Sequence, residues 1–349
     1  MNTHEKYIKR CIELAQNGFG TTYPNPMVGS VIVYNDKIIG EGWHKKAGEP
    51  HAEVNAIRSV KDKSLLKKAT IYVSLEPCSH FGKTPPCCDL IIANEIPNVV
   101  VGTVDPNEKV AGNGIKKLIA AGANVVVGVL ENECNELNKR FFTFHQKRRP
   151  YIILKWAESQ DGFLAPEKIL NQERKPVWIT NTYSRQLVHK WRSEEQAILA
   201  GTQTVVDDNP KLNTRNWSGN NPVRVVLDQN NRISKESFIF DNSVKTILFT
   251  KSENQFSTEN TIFEVIDFNQ NVIPQIIAVL YQNQIQSIII EGGLQTLQSF
   301  IDANIWDEAR IFIGKINFNK GTTAPVLQKK TTTKTYIQTD ELINVRNHD

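Results

Sequence analysis

The stretch HAEVNAIRSVKDKSLLKKATIYVSLEPCSHFGKTPPC, residues 51–87, decides how this chain is read. It opens with a helical pattern from about His51 to Val60, passes into an apolar strand from Thr70 to Ser74, and leads to a second helix near Pro86 to Asn94. Toward the N-terminus, Val28 to Tyr34 and Ile38 to Trp43 read as a hairpin across Asn35-Asp36. Further back, Tyr7, Ile8, Cys11, Ile12, Leu14 and Ala15 recur at helical spacing within residues 3–17. Toward the C-terminus come a strand (Val99 to Val104), a helix (Gly114 to Ala121), a strand (Val125 to Val129) and a helix from about Glu131 to His145. Strands separated by helices in this way imply a mainly parallel sheet covered on both faces, an α/β fold.

The polar, basic run Gln146-Lys147-Arg148-Arg149-Pro150 then interrupts the pattern, and a new apolar strand starts at Tyr151. This predicts two domains, residues 1–146 and 150–349. A chain of 349 residues suits that division, because single cores stop growing at roughly 250 to 300 residues. The second half alternates again. Helices are expected near Ser184 to Arg192, Val272 to Gln282 and Leu294 to Ala303. Strands are expected at Tyr151 to Trp156, Ala197 to Ala200, Val223 to Leu227, Thr246 to Thr250, Ser287 to Ile290, Glu308 to Ile313 and the C-terminus. Residues 229–243 and 251–271 are polar and read as loops.

Forty per cent apolar and 22% charged residues describe an ordinary globular chain. A net charge of +4, with no basic block interleaved with aromatics, argues against a nucleic-acid partner. The charged, amphipathic N-terminus is unlike a signal peptide, and no run approaches the roughly 18 apolar residues of a membrane span. A cytoplasmic protein without a membrane partner is the expectation. Five cysteines, an odd number, point to thiols or metal ligation over a disulfide framework.

His51-Ala52-Glu53 opens a helix, and Glu76-Pro77-Cys78 closes a strand. With Cys87 or its neighbour Cys88, this makes an imidazole and two thiolates. Such a set leaves the fourth tetrahedral position of zinc open to water, as catalytic sites do and closed structural sites do not. Zinc acidifies that water to give hydroxide near neutral pH. Glu53, two residues beyond the imidazole, can shuttle the proton without ligating. The His-x-Glu and Pro-Cys pattern is that of zinc deaminases acting on nucleobases. A structural zinc in a nucleic-acid-binding protein would need a fourth ligand and a basic patch, and the sequence offers neither.

The loop Cys78-Ser79-His80-Phe81-Gly82-Lys83-Thr84-Pro85-Pro86-Cys87 is longer than a Cys-x-x-Cys turn. With Thr21 to Gly29 and Gly40-Glu41-Gly42-Trp43-His44, it resembles the bacterial bifunctional riboflavin-biosynthesis family. In that family a diaminohydroxyphosphoribosylaminopyrimidine deaminase is fused to a 5-amino-6-(5-phosphoribosylamino)uracil reductase. The resemblance spans nearly the whole chain. It implies a cytidine-deaminase-like three-layer α/β/α domain followed by a dihydrofolate-reductase-like α/β domain. It selects Cys87 as the third ligand of one Zn2+. It also implies that Asn25 and His44 contact the pyrimidine, and that His80 and Lys83 lie near the ribose-phosphate of the ribotide substrate.

The second half has no Gly-x-Gly-x-x-Gly fingerprint, so a conventional Rossmann site is not expected. Instead Leu154 to Gly162, Trp178-Ile179-Thr180, Gly201 to Pro210 and Ile290-Glu291-Gly292-Gly293 resemble the family's reductase. An apolar strand running into Gly292-Gly293 and then a helix is a phosphate-binding arrangement in its own right. By resemblance, NADPH is held by Glu158, Trp178, Thr204, Asp208 and the segment Gly293-Leu294-Gln295-Thr296-Leu297-Gln298-Ser299. Arg192, Leu212, Arg215 and Glu291 hold the substrate, the arginines suiting its phosphate. Lys155 and Asp161 serve the hydride-transfer site, and a homo-oligomer (dimer or tetramer) is expected. Pro176 and Gln229 stand where the family commonly has serines, and Lys315 to Pro325 matches poorly. The alternative reading is a deaminase with a degenerate C-terminal domain.

Overall fold

Asn2 accepts the Glu5 amide at 2.9 Å while the Glu5 carboxylate accepts the Asn2 amide, a capping box that starts the first helix. From there the computed structural model describes residues 2–81, 85–106, 111–168, 177–253, 258–328 and 331–347. The chain separates into two units, Met1–Arg148 and Arg149–Asp349.

In the first unit α1 (Thr3–Ala15) precedes the hairpin β1 (Gly29–Tyr34) and β2 (Lys37–Trp43). Asn35 and Asp36 both take positive φ, 47° and 57°, as a two-residue hairpin turn requires. There follow α2 (Ala52–Ser59), β3 (Thr70–Leu75), α3 (Cys87–Ala93), β4 (Asn98–Thr103), α4 (Asn113–Ala120), β5 (Asn124–Val127), α5 (Glu131–Leu137) and α6 (Lys139–Lys147). The sheet order is β2-β1-β3-β4-β5. Only β3, β4 and β5 run parallel; β1 is antiparallel to both β2 and β3. The mainly parallel sheet expected from the helix-strand rhythm is thus mixed, because a tight turn reverses the chain where no crossover helix intervenes.

The strands alternate faces. Ile32, Ile71, Val73, Val99 and Val101 pack with Ala56 and Ile57 of α2, Ile91 of α3 and Leu118 of α4. Val31, Val33, Tyr72 and Val100 pack with Tyr7, Ile8, Cys11 and Leu14 of α1. Both faces are covered, as expected. The long final helix is instead two, α5 and α6, parted at Asn138, which has left helical backbone geometry (φ −106°, ψ 23°). Its buried side chain pairs with the main chain of Met27, accepting from the amide and donating to the carbonyl at 2.8 Å each.

The second unit contains β6 (Tyr151–Glu158), β7 (Phe163–Pro166), α7 (Thr182–Glu194), β8 (Ala197–Ala200), α8 (Thr202–Asp208), β9 (Val223–Leu227), β10 (Thr246–Thr250) and β11 (Thr261–Val265). It continues with α9 (Val272–Gln282), β12 (Ser287–Ile290), α10 (Leu294–Asp302), β13 (Glu308–Ile313), β14 (Gly321–Thr323), β15 (Thr331–Ile337) and β16 (Asp340–Arg346). The main sheet runs β11-β10-β9-β8-β12-β6-β13-β16-β15, while β14 and β7 form a separate ribbon. From β11 to β13 every pairing is parallel; β16 and β15 are antiparallel. Central strands β8 and β12 are buried along their whole length, which is why they read as unbroken apolar runs.

Ile288 and Ile290 of β12 face one core with Leu297 and Phe300 of α10. Ile198 and Ala200 of β8 face another with Val205 of α8. The helices that follow these two neighbouring strands therefore leave to opposite faces of the sheet. A crevice at the carboxyl ends of the strands is the geometric result. Among the described residues no helix is long and apolar enough to cross a membrane.

At Gly29 a Cβ would lie 2.0 Å from the Cys11 carbonyl oxygen, since α1 passes directly over β1. Gly29→Ala should therefore destabilise the first unit by about 1 to 3 kcal/mol, the usual cost of overpacking a core. A urea midpoint equal to wild type would contradict this close approach.

Candidate functional site

In the first unit the site is assembled at the carboxyl ends of the parallel strands. His51 stands at the N-cap of α2 in extended conformation (φ −69°, ψ 167°) but makes no side-chain capping bond. Its imidazole is turned instead to two thiols: Nδ1 lies 3.6 Å from Cys78 Sγ and 3.3 Å from Cys87 Sγ. One turn along α2, Asn55 donates to the carbonyls of Trp43 (2.8 Å) and Pro50 (3.2 Å), bracing the backbone on both sides of this loop.

Cys78 follows β3 and Cys87 opens α3. The Cys87 amide donates to Cys78 Sγ at 3.2 Å, so a helix N-terminus supports one thiolate. Cys88, the alternative ligand, is buried in the core with Ile91 and turned from the imidazole. The ligand atoms of His51, Cys78 and Cys87 lie within 4.8 Å of one another. Zinc bonded at about 2.3 Å to sulfur and about 2.0 Å to nitrogen on tetrahedral angles keeps those atoms about 3.5 Å apart, so the donor set fits the ion.

Glu53 is buried in the first turn of α2. Burial, reinforced by the Cys78 charge, pushes its carboxyl up to about 7. The bond from Cys87 lowers the Cys78 thiol to about 4, and the same pairing together with burial raises Cys87.

His44 is buried, and desolvation lowers its pKa, so the ring is neutral at pH 7. Its Nδ1 faces the Pro50 carbonyl at 3.2 Å and must donate there. Nε2 is then an acceptor, 3.1 Å from Asn25 Nδ2, which makes the two predicted pyrimidine contacts neighbours. The His44 and His51 rings meet edge-on at 5.3 Å. His80 is exposed beyond Cys78. Lys83 lies outside the described residues.

Sequence reasoning missed Glu76. Its buried carboxylate accepts the amides of Asp105, Gly112, Gly114 and Ile115 at 2.9 to 3.3 Å, tying the turn before Cys78 to the segment after β4. A carboxylate beside the proline of a Pro-Cys pair was the available signal.

The second unit has a cleft of 1340 Å³ that brings together Lys155, Trp178, Arg192, Asp208, Leu212, Arg215 and Glu291. Glu291, just beyond β12, forms a paired contact with Arg192 (2.7 and 3.3 Å) and lies 3.9 Å from Lys155 Nζ. Burial alone would raise the Glu291 carboxyl, but the Arg192 and Lys155 charges outweigh it and hold it at about 2. Burial lowers Lys155.

Asp161, expected beside Lys155, is elsewhere. It is exposed and accepts the amides of Phe318 and Asn319 and the Ser159 hydroxyl, which makes it the anchor of a turn. Glu158 receives the Trp156 indole at 2.7 Å and does not line the cleft. Pro176 is outside the described residues, and Gln229 is exposed beyond β9.

The segment Gly293 to Ser299 is mostly helix: Gly293 is the N-cap of α10, with no side-chain cap. Leu297 is buried in the core, and Gln298 and Ser299 bond within α10 and to Val326. Only the first turn is positioned for a ligand. Gly201, the N-cap of α8, has a Cβ position 2.6 Å from Thr296 Oγ1, so the ends of α8 and α10 approach closely. Thr204 lies between them, 3.4 Å from the Cβ position of Gly293. Two adjoining helix N-termini with small residues suit a dinucleotide's phosphates.

Arg185, His189 and Lys211 also line the cleft and were not anticipated. Arg185, His189 and Arg192 are spaced i, i+4, i+7 on α7, a one-face pattern that the sequence does display.

Residues 1–103 match a family model described as the cytidine and deoxycytidylate deaminase zinc-binding region. Residues 150–334 match one described as the RibD C-terminal domain. Riboflavin biosynthesis protein RibD of Aquifex aeolicus is 41% identical over 313 residues, 88% of this chain and 86% of that protein. That of Escherichia coli is 37% identical over 326 residues, 88% and 87% of the two. A solved Thermotoga maritima diaminohydroxyphosphoribosylaminopyrimidine deaminase/5-amino-6-(5-phosphoribosylamino)uracil reductase matches with a TM-score of 0.89 at 37% identity, covering 99% of this chain and 98% of that one. Acinetobacter baumannii RibD matches at 0.88 and 30%, covering 99% of both chains. The expected deaminase-like and reductase-type folds are both present, and nothing in these matches supports a degenerate C-terminal domain.

Glu291 generates a pH prediction. Its folded pKa of about 2 lies below its ordinary 4.5, so its contribution to stability is complete above pH 4.5 and is lost as pH falls through about 2. The difference is on the order of 3 kcal/mol. Wild type should lose urea resistance steeply across that window and Glu291→Gln much less; parallel acid limbs would refute the charge coupling.

Proposed function

The chain belongs to the riboflavin biosynthesis protein RibD family, and from that premise we propose how its own residues carry out the two reactions. It is a bifunctional enzyme of riboflavin biosynthesis that uses Zn2+ and NADPH. The first reaction removes the C2 amine of 2,5-diamino-6-(5-phosphoribosylamino)pyrimidin-4(3H)-one as ammonia. The second reduces the opened ribosyl side chain to ribityl.

His51, Cys78 and Cys87 hold the zinc. When bound, zinc supplies Lewis acidity that makes water a nucleophile near neutral pH. Glu53 would move two protons in turn: one from the attacking water to a ring nitrogen, then the one left on the newly added hydroxyl to the amine, which departs as ammonia. Its place in the first turn of α2, two residues beyond His51, puts the carboxyl beside the ligand set without making it a ligand. Asn25 and the neutral His44 orient the pyrimidine, and His80 and Lys83 attend the ribose-phosphate. The observation that carries this reading is the triangle of one imidazole and two thiols with Glu53 buried in the adjoining helical turn.

For the reduction, NADPH supplies hydride to C1′. Its phosphates are assigned to the N-termini of α8 and α10, with Thr204, Trp178 and Asp208 around it and Glu158, held by the Trp156 indole, behind the site. Arg192 and Arg215 take the substrate phosphate, with Leu212 against the sugar. Lys155 and Glu291 are assigned to the reacting end, and Asp161 to holding the neighbouring turn. A cytoplasmic location and a homo-oligomer go with this reading.

Glu53→Gln should keep one zinc per chain by atomic absorption yet lose ammonia release by about 10²- to 10⁴-fold. Its NADPH oxidation with the deaminated ribotide should be unchanged; full ammonia release from this variant would remove Glu53 from the mechanism. Wild type given the diaminopyrimidinone ribotide should release ammonia with or without NADPH and oxidise NADPH only after deamination. Ammonia release without any NADPH oxidation would contradict the second activity.

A further inference from the structure

The segment that presents Arg215 to the cleft is held by a residue to which neither activity has so far assigned a part. The Asn213 carbonyl oxygen accepts from Arg192 Nη1 at 3.3 Å and faces His189 Nδ1 at 3.1 Å. The Asn213 side chain accepts from Arg215 Nη1 at 2.9 Å through Oδ1. The Arg215 amide nitrogen in turn lies 3.3 Å from His189 Nδ1. Either tautomer of His189 therefore ties this segment to α7: a protonated Nδ1 donates to the Asn213 carbonyl, and a bare Nδ1 accepts from the Arg215 amide. Asn213 thus touches the guanidiniums of Arg192 and Arg215, the first through its main chain and the second through its side chain.

The two arginines differ in how they are held. Arg192 is paired with the Glu291 carboxylate, which neutralises much of its charge. Arg215 is exposed and held at its Nη1 by a neutral amide oxygen, which orients the guanidinium and leaves its charge for an incoming anion. A long exposed side chain loses rotamer entropy when it engages a ligand, and prior anchoring reduces that loss. We propose that Asn213 is a positioning residue of the reductase that orients Arg215 for the substrate phosphate and thereby sets the preference for phosphorylated over dephosphorylated substrate. The inference rests on the assignment of Arg192 and Arg215 to that phosphate.

The test uses the full-length, zinc-loaded enzyme and steady-state NADPH oxidation. The substrates are the deaminated ribotide and its dephosphorylated counterpart. Asn213→Ala should raise KM for the phosphorylated substrate roughly tenfold, in line with losing a hydrogen bond to a charged group. It should leave kcat, KM for the dephosphorylated substrate and ammonia release as in wild type. Asn213→Asp should raise the phosphorylated KM further, because a carboxylate would neutralise Arg215. Arg215→Ala is the reference. If it raises the phosphorylated KM while both Asn213 variants do not, the positioning role is overturned alone. If Arg215→Ala has no effect on that KM, the phosphate assignment beneath it is overturned. Equal losses on both substrates in the Asn213 variants would show a purely structural role and overturn the proposal.

Discussion

Parallel strands deliver all their carboxyl ends to one edge of a sheet, and both sites in this chain depend on that constraint. The interior of each strand is committed to backbone pairing and to burying apolar side chains on two faces. Chemistry is left to the residues just past the last pairing, where helix N-termini also bring unpaired amides. In the first unit β3 ends at Leu75, the Glu76 amide takes the Thr103 carbonyl of neighbouring β4, and Cys78 follows two residues later. In the second unit Glu291 follows β12 at once, Gly201 follows β8, and Lys155 comes from adjacent β6. Residues distant in sequence meet because register sets them level: Ile290 ends β12 opposite Leu154, so Glu291 and Lys155 come next on neighbouring strands.

Two carboxyls then share the desolvation that burial imposes and differ in what stands beside them. Burial, with the Cys78 charge beside it, pushes Glu53 up toward neutrality. Glu291 has an arginine and a lysine beside it and is held ionised far below that range, the condition of a fixed counter-charge. Helix α2 and strand β12 are equally ordinary as scaffolds. At Glu291 two protein cations, Arg192 and Lys155, outweigh the burial that both carboxyls experience.

The elements that bury a full face were readable from period alone, as β12 and α1 show, since burial imposes the pattern on the sequence. Those that bury little were not. The edge strand β11 falls in a segment read as loop, and the seven-residue α8 buries Val205 but little else. The zinc ligands were legible because one local geometry requires residues of rare type. Cys87 was preferred over Cys88 by family resemblance; the physical reason is the start of α3, which turns one thiol to His51 and the other into the core. Lys155 and Asp161 were assigned to one hydride-transfer site by family resemblance. The turn after β6 carries Asp161 away to residues 318 and 319, and Glu291 arrives from a different strand. Sequence proximity could not reveal a counter-ion supplied by the sheet order.

The pairing of Asn138 with Met27 has a consequence for the order in which the molecule comes into being. The loop bearing Asn25 takes its main-chain partners from a residue 111 positions later. During synthesis that loop therefore cannot be set until nearly the whole first unit has left the ribosome. Contacts of such long separation form late, after the loop-closure entropy between them has been overcome. The metal ligands span only residues 51–87, whereas the Met27 contact closes a loop of 111 residues, so ligand set and pocket wall draw on separations of very different length.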